Sequence, residues 1–386
     1  MKKKLCVVTG TRADYGQLSV LMRAIASSND LELQILVTGS HFSSEFGSTV
    51  NELRSDGFII GGVVESQIAS DSRSAVCKSI GMGLIGASYE LERLGPDALI
   101  VLGDRYEILA IVIAAHVSGI PVIHLHGGES TFGQIDEAIR HSITKFSTLH
   151  FTSTDAYRQR VIQLGEHPRT VFNVGAMGID AIIDTELISE RGLRTELGIH
   201  QDRPVLTITY HPVTLASDMG LSDLKLLFNS VRKLDEFEIV FTAANADMAG
   251  LSFNELISQF CSEESNRYLF NSLGRVRYLS LLKISSAVIG NSSSGILEAP
   301  FLGIPSIDIG ERQAGRVIDE SVLHVSSSEL LRPAIDKVLK DGFMAEFNGG
   351  NSIYFNGGAT EKIMHQIRAF DFSDNDLRKK TFYNLI

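Results

Sequence analysis

Three acidic residues follow short apolar segments, at positions where parallel strands would end. Asp104 comes directly after Val101-Leu102-Gly103, Glu129 follows a pair of glycines, and Asp136 lies at the expected start of a helix. Side chains beyond the carboxyl ends of neighbouring strands meet at one edge of a parallel sheet, so these carboxylates are expected to cluster. Crowded carboxylates raise one another's pKa, which lets one be protonated while another is ionised near neutral pH. The spacing predicts general acid–base chemistry of the kind that a sugar carbon requires.

Basic neighbours on the predicted helix offer these acidic groups an alternative role. Asp136 lies four residues before Arg140, and Glu137 lies four residues before His141, so both pairs can form on a solvated helix face. We expect this structural pairing for Glu137. For Asp136 we favour the functional role.

Three histidines also lie at predicted strand ends. His124 and His126 lie two residues apart at the end of one apolar segment, and either could have a catalytic or ligand-binding role. His211 follows the apolar segment Val205–Ile208, where it could pair with a phosphate or with a carboxylate.

The loop after the first predicted strand has the composition of an anion-binding turn. Gly10-Thr11-Arg12 ends the apolar segment, and a helix is expected from about Tyr15. Backbone N–H groups at a helix start, together with Arg12, could bind a phosphate.

A second anion-binding segment lies late in the chain. An apolar strand runs into Ser292 and Ser293, and a helix is expected to open at Gly295. Hydroxyl groups and free N–H groups at a helix start suit a pyrophosphate. Glu298, expected one turn into that helix, could accept both hydroxyl groups of a ribose. The next predicted strand is followed by two further guanidinium groups, those of Arg312 and Arg316.

Composition narrows the possible classes of protein. The 386 residues carry a formal net charge of −11, which argues against broad contact with nucleic acid. Cys6, Cys77 and Cys261 are widely scattered and have neither disulfide nor zinc-ligand spacing. The longest apolar stretch, Ile108–Val117, is too short to span a bilayer. We therefore expect a cytoplasmic protein that binds no membrane and needs no metal or other cofactor.

Short apolar segments alternate with amphipathic ones along the whole chain, which is typical of parallel α/β proteins. The pattern restarts after residues 174–178, so we predict two Rossmann-like doubly wound domains facing a ligand-binding cleft. The predicted domains are residues 1–175 and 176–386, with the last helix able to pack back on the first domain. The expected strands are Leu5–Thr9, Leu33–Val37, Ala98–Leu102, Val122–Leu125, His150–Thr152 and Val171–Val174, then Val205–Ile208, Glu238–Phe241, Ala287–Ile289, Pro305–Asp308 and Leu323–Val325. The expected helices include Ser74–Leu94, Tyr106–Val117 and Asp136–Phe146.

These motifs, in this order, resemble the UDP-N-acetylglucosamine 2-epimerase family, from about residue 5 to 370. The matching segments are Gly10–Tyr15, Gly103–Arg105, His124–Glu129, Ile135–His141, His211–Thr214, Gly290–Gly295 and Gly310–Arg316. The resemblance implies the two-domain glycosyltransferase-B type of fold. The opening Gly-Thr-Arg-Ala-Asp-Tyr resembles the hydrolysing branch, which includes bacterial enzymes of sialic-acid synthesis.

The resemblance also implies a reaction and roles for the residues. UDP would leave N-acetylglucosamine by anti elimination, giving 2-acetamidoglucal, and water would then add with inversion at C2 to give N-acetylmannosamine. The implied acid–base and diphosphate-stabilising groups are Asp104, Glu129, Asp136 and His211. The implied substrate-binding residues are Arg12, Ala13, Arg105, Asn245, Asp247, Ser292, Ser293, Glu298, Arg312 and Arg316.

Several alternatives remain open from the sequence. The same chemistry could act on a UDP- or GDP-linked 2,4-diacetamido-2,4,6-trideoxy sugar, as in legionaminic-acid synthesis. A non-hydrolysing epimerase, a glycosyltransferase of the same fold and a non-catalytic nucleotide-sugar sensor are further possibilities. A sensor could lack Asp104, Glu129 and Asp136, whereas this chain has all three. The resemblance further implies a homodimer or homotetramer, for which the helix Ser74–Leu94 offers an apolar interface.

Overall fold

The computed structural model describes residues 2–42, 49–68, 70, 72–132, 135–213, 218–244, 250–326, 330–340, 343–344, 354, 357–372, 374 and 379–385. The chain divides into two compact units. The first comprises Met1–Glu129, Asp136–Ala181 and Asn356–Ile386, and the second comprises Ser130–Ile135 and Ile182–Phe355.

The first unit is built around a seven-stranded parallel sheet. Its strands are β1 (Lys3–Thr9), β2 (Leu31–Val37), β3 (Gly62–Val63), β4 (Ala98–Leu102), β5 (Val122–Leu125), β6 (Leu149–Thr152) and β7 (Val171–Asn173). They lie in the order β3-β2-β1-β4-β5-β6-β7. Every residue of β4 and β5 is buried, because helices cover both faces of the sheet.

The helices of the first unit alternate with its strands. They are α1 (Arg12–Ala26), α2 (Val50–Ser55), α3 (Arg73–Leu94), α4 (Tyr106–Val117), α5 (Ile135–Phe146), α6 (Asp155–Gln163) and α7 (Met177–Ile183). Small residues let α3 approach α4 closely, since a Cβ at Gly83 would lie 3.1 Å from the Ala110 Cβ.

The second unit repeats this architecture with six parallel strands. The strands are β8 (Val205–Thr209), β9 (Glu238–Thr242), β10 (Arg267–Phe270), β11 (Ser285–Gly290), β12 (Ser306–Ile309) and β13 (Val322–Val325), in the order β10-β9-β8-β11-β12-β13. The helices are α8 (Glu190–Leu197), α9 (Leu221–Val231), α10 (Gly250–Cys261), α11 (Gly274–Ile284), α12 (Glu298–Phe301) and α13 (Leu331–Val338). Both sheets have the doubly wound strand order, which confirms the predicted α/β class.

The C-terminal helix α14 (Ala359–Ala369) belongs to the first unit and packs against α1. Its buried residues Ile363, Met364 and Ile367 join the apolar core of that unit. The Asp180 carboxylate accepts the backbone N–H groups of Ala359, at 3.2 Å, and Thr360, at 2.6 Å. These bonds satisfy donors that a helix start leaves without intrahelical partners.

No helix in the described part of the chain is both long and apolar enough to cross a membrane.

Candidate active site

The loop between β1 and α1 is shaped by Asp14. Its buried carboxylate accepts the backbone N–H groups of Gly10 and Thr11, both at 2.7 Å, and that of Tyr15 at 2.9 Å. Thr11 caps α1 and forms a capping box with Asp14, so the helix begins at Arg12 rather than near Tyr15 as expected. Asp14 therefore fixes the backbone that bears Arg12 and Ala13. No role was predicted for it, although the Thr-x-x-Asp spacing is a recognisable signal.

A buried carboxylate also holds Arg105, the residue that precedes α4. The Arg105 Nε lies 2.6 Å from Glu107 Oε1, and Glu107 is only 3% exposed. Glu107 lies beneath the turn after β1, since Cβ atoms at Gly10 and Gly39 would each fall 3.1 Å from its side chain. The ion pair therefore holds Arg105 beside the loop that carries Arg12.

The buried guanidinium of Arg140 binds Asp104 and Glu137, and we call these groups and the adjoining Glu129 loop the carboxylate cluster. Arg140, 1% exposed, pairs through Nη2 with Asp104 Oδ2 and through Nη1 with Glu137 Oε2 at 2.8 Å. Its Nη1 also donates to the Glu129 carbonyl oxygen at 3.0 Å. Arg140 thus joins Asp104, beyond β4, to the loop that carries Glu129.

Asp136 and Glu137 occupy the first turn of α5. The expected pairing of Glu137 with His141 is present, with Glu137 Oε1 3.2 Å from His141 Nε2. Asp136 is half-buried at the start of the helix, where the positive end of the helix dipole stabilises a carboxylate.

Glu129 is held by two donors on one oxygen. Its Oε1 lies 3.0 Å from His126 Nδ1 and accepts the Ser153 hydroxyl at 3.0 Å. The His126 Nε2 accepts the backbone N–H of Met177 at 3.2 Å, so the ring proton lies on Nδ1 and points at Glu129. The strand ends at Leu125, and His126 has a left-handed φ of 63°. His126 therefore lies in the loop after β5, which ends at Leu125 as predicted.

His124 holds the backbone that follows β4. Burial lowers its pKa to about 3, so the ring is neutral. Its Nε2 donates to the Gly103 carbonyl at 2.8 Å, and its Nδ1 accepts from the Thr144 hydroxyl at 3.1 Å. His124 therefore fixes the peptide that leads into Asp104. Within the described ranges, no group of three or more His, Cys, Asp and Glu side chains is arranged to hold a metal ion.

In the second unit, Asn291 organises the strand ends. Its side-chain amide accepts the backbone N–H of His211 at 2.7 Å and donates to the His211 carbonyl at 2.8 Å. The Asn291 carbonyl accepts Arg312 Nη1 at 3.0 Å and Gln313 Nε2 at 2.7 Å. Asn291 thus joins His211, after β8, to the loop that follows β12. It lies in a predicted motif, but no role was predicted for it.

Ser292 and Ser293 begin a short 3-10 helix, Ser293–Gly295, that Ser292 caps. A regular helix does not open at Gly295 as expected; α12 begins only at Glu298 and has four residues. Glu298 is therefore the first residue of that helix rather than one turn inside it. The predicted hydroxyl groups are present, but a long helix dipole does not support them.

The remaining predicted binding residues fall into two groups. Arg312 and Arg316 are half-buried and act electrostatically on Asp308, whose pKa is raised chiefly by burial. Asn245 and Asp247 lie outside the described residues.

Comparison with known proteins identifies the family. The model of the UDP-N-acetylglucosamine 2-epimerase family matches residues 23–368. The chain is 40% identical over 330 residues to GDP/UDP-N,N'-diacetylbacillosamine 2-epimerase (hydrolyzing) from Campylobacter jejuni, covering 85% of this chain and 86% of that protein. It is 35% identical over 386 residues to polysialic acid biosynthesis protein P7 from Escherichia coli, covering 99% and 98%.

A solved structure supports the fold independently. UDP-GlcNAc 2-epimerase from Neisseria meningitidis, bound to UDP-GlcNAc, superposes with a TM-score of 0.81. That superposition covers 95% of this chain and all of the other, at 18% sequence identity. The chain therefore belongs to the UDP-N-acetylglucosamine 2-epimerase family.

Proposed function

We propose that this chain is a hydrolysing 2-epimerase, which releases a nucleoside diphosphate from a 2-acetamido sugar and inverts the configuration at C2. The observation that carries the proposal is the carboxylate cluster of the first unit. Asp104 is bound to the buried Arg140, and Glu129 accepts bonds from His126 and Ser153. Two carboxylates fixed in this way can accept a proton without changing position.

The reaction begins with removal of the C2 proton by one of the carboxylates of Asp104, Glu129 and Asp136. The C–H electron pair becomes the C1=C2 double bond, and the C1–O bond breaks toward the diphosphate. Water then adds its oxygen to C1, and C2 takes a proton on the opposite face to give the 2-epimer. The first step needs a close base and a stabilised leaving group.

The second unit supplies groups for that leaving diphosphate. In our proposal, His211, Ser292, Ser293, Arg312 and Arg316 bind its oxygens, and Glu298 accepts the ribose hydroxyl groups. Arg12, Ala13 and Arg105 are proposed to contribute further contacts to the substrate. Developing negative charge is thereby met by fixed donors. Asn245 and Asp247 are proposed to contact the sugar nucleotide.

Two sugars are candidates for the substrate. UDP-N-acetylglucosamine is the substrate predicted from the sequence motifs, and the similarity to P7 supports a role in sialic-acid-type synthesis. The 2,4-diacetamido-2,4,6-trideoxy sugar is favoured by the 40% identity to a hydrolysing diacetylbacillosamine 2-epimerase. The chemistry at C1 and C2 is the same for both, and we place it in the cytoplasm.

A measurement of nucleoside diphosphate release distinguishes the two candidate substrates. Purified protein is incubated with UDP-N-acetylglucosamine or with the UDP- and GDP-linked diacetamido sugars, without an acceptor, and kcat/KM is measured for each. We expect one substrate to give free diphosphate and the 2-epimeric sugar in equal amounts. A nucleotide-linked 2-epimer instead of free diphosphate would indicate the non-hydrolysing reaction. Release that requires an added acceptor would indicate a glycosyltransferase, and binding without turnover would indicate a sensor.

We further propose that the chain forms a homo-oligomer through α3. Met82, Ile85 and Tyr89 are 48%, 63% and 69% exposed, and their spacing puts them on one face of the helix. Ile85→Glu places a charge on that face and should convert the oligomer to single chains in light scattering at micromolar concentration. Val117→Glu, which places the same charge at an 80% exposed apolar position at the end of α4, is the control. A wild-type protein that is already monomeric would remove this proposal.

A further inference from the structure

Three hydroxyl groups form a chain of hydrogen bonds at the start of the short helix after β11. The Tyr278 hydroxyl lies 2.5 Å from Ser294 Oγ. Ser294 Oγ donates to Ser292 Oγ at 3.1 Å, and the Ser294 backbone N–H points at the same oxygen at 3.4 Å. The chain therefore runs from α11 to the loop that holds the proposed diphosphate-binding serines.

The direction of each proton in this chain follows from counting donors and acceptors. A hydroxyl group has one proton to donate and two lone pairs. Ser294 uses its proton toward Ser292, so it must accept the proton of Tyr278. Ser292 Oγ already accepts hydrogen bonds from two donors of Ser294, its hydroxyl and its backbone N–H. Both lone pairs of Ser292 Oγ are therefore used, and the group can make a further hydrogen bond only by donating its own proton. A serine in this state recognises an acceptor, such as a phosphate oxygen, and does not recognise a donor.

Tyr278 is well placed to hold this chain in one direction. Its ring is half-buried and packs against an apolar cluster that includes Leu193, Leu273 and Leu281. Ser294 is 6% exposed, so its hydroxyl exchanges partners with water less readily than a surface serine does. Hydrogen bonds in a chain polarise one another, which strengthens the donor at the end.

We propose that Tyr278 is a positioning residue of the diphosphate site, acting through Ser294 to aim the Ser292 proton at a phosphate oxygen. This inference rests on the proposed function, because it takes a nucleoside diphosphate as the ligand. Tyr278 does not itself touch the ligand. Its removal should free the Ser294 and Ser292 hydroxyls to rotate, so that Ser292 is no longer held as a donor.

Nucleotide binding by calorimetry tests the inference. UDP and GDP are each titrated into the wild-type protein, and the tighter ligand is used for the variants. We expect Tyr278→Phe and Ser294→Ala each to weaken binding roughly threefold to tenfold, the range of one hydrogen bond. Tyr268→Phe is the matched control, because Tyr268 packs in the same apolar cluster but its hydroxyl bonds to Glu238. It should bind as the wild type does.

A double variant distinguishes positioning from a general structural effect. If Tyr278 acts through Ser292, Tyr278→Phe should add less than a twofold loss when Ser292 is already alanine. The inference would be overturned if the affinity loss of the double variant Ser292→Ala/Tyr278→Phe equalled the product of the two single losses. It would also be overturned if Tyr278→Phe bound nucleotide with wild-type affinity. Either result would leave the proposed function standing. A wild-type protein that binds neither nucleotide would remove the proposed diphosphate site, and this inference with it.

Discussion

Asp104→Asn is expected to lower turnover of the sugar nucleotide about 10²- to 10⁴-fold, the usual contribution of a general acid or base. Asparagine has nearly the same shape as aspartate and keeps a side-chain oxygen that can accept a hydrogen bond from the Arg140 guanidinium. It has no negative charge and cannot take up a proton. Asp104 is about a quarter exposed, with a side-chain exposure of 24%, so a ligand can reach it.

The control for this variant lies at the other end of the same strand. Asp97 precedes β4 and accepts the backbone N–H of Lys4 at 2.7 Å, away from the strand end that bears Asp104. Asp97→Asn should keep wild-type turnover. Steady-state release of nucleoside diphosphate measures both variants. An Asp104→Asn protein with near-wild-type turnover would exclude Asp104 from acid–base chemistry.

Arg140→Met is expected to reduce the free energy of unfolding by about 3 kcal/mol, the lower end of the range for breaking a buried ion pair. The substitution leaves Asp104 and Glu137 without their shared cation, and the Glu129 carbonyl without a donor. Both carboxylates keep side-chain exposures near a quarter, at 24% and 25%, so water relieves part of the penalty. Methionine fills a volume similar to that of arginine. The expected loss in the free energy of unfolding therefore comes mainly from the missing positive charge.

Urea unfolding followed by circular dichroism measures this effect. Arg93→Met is the control, since Arg93 is 56% exposed and its pair with Glu90 lies on the surface of α3. An exposed pair of this kind contributes about 1 kcal/mol or less. Equal losses for the two variants would mean that Arg140 does not stabilise the carboxylate cluster.

The strands were predictable wherever their residues are uniformly apolar. Ala98–Leu102 and Val122–Leu125 match β4 and β5, because strands buried on both faces read as continuous apolar runs. Two strands were not predicted. β3 has only two residues, and β10 begins at Arg267, a charged residue that pairs with Glu263 while 6% exposed. A buried charged residue at its start hides this strand from a reading of hydropathy.

The site was predictable in its residue types but not in its connections. Spacing offered Arg140 a partner on its own helix, Asp136, but it did not predict that Arg140 reaches Asp104, which lies 36 residues earlier in the chain. Asn291 binds the backbone of His211 across 80 residues. Such contacts depend on which strands become neighbours in the folded sheet, and the local spacing of residues does not predict them.

Proton NMR of the reaction in deuterated water tests the central claim most directly. The protein is incubated with the sugar nucleotide that it turns over fastest, without added metal. We expect free nucleoside diphosphate and a 2-epimeric sugar that carries deuterium at C2, because the C2 proton is removed and later replaced from solvent. Free diphosphate with a sugar that keeps its original C2 proton would contradict elimination at C2.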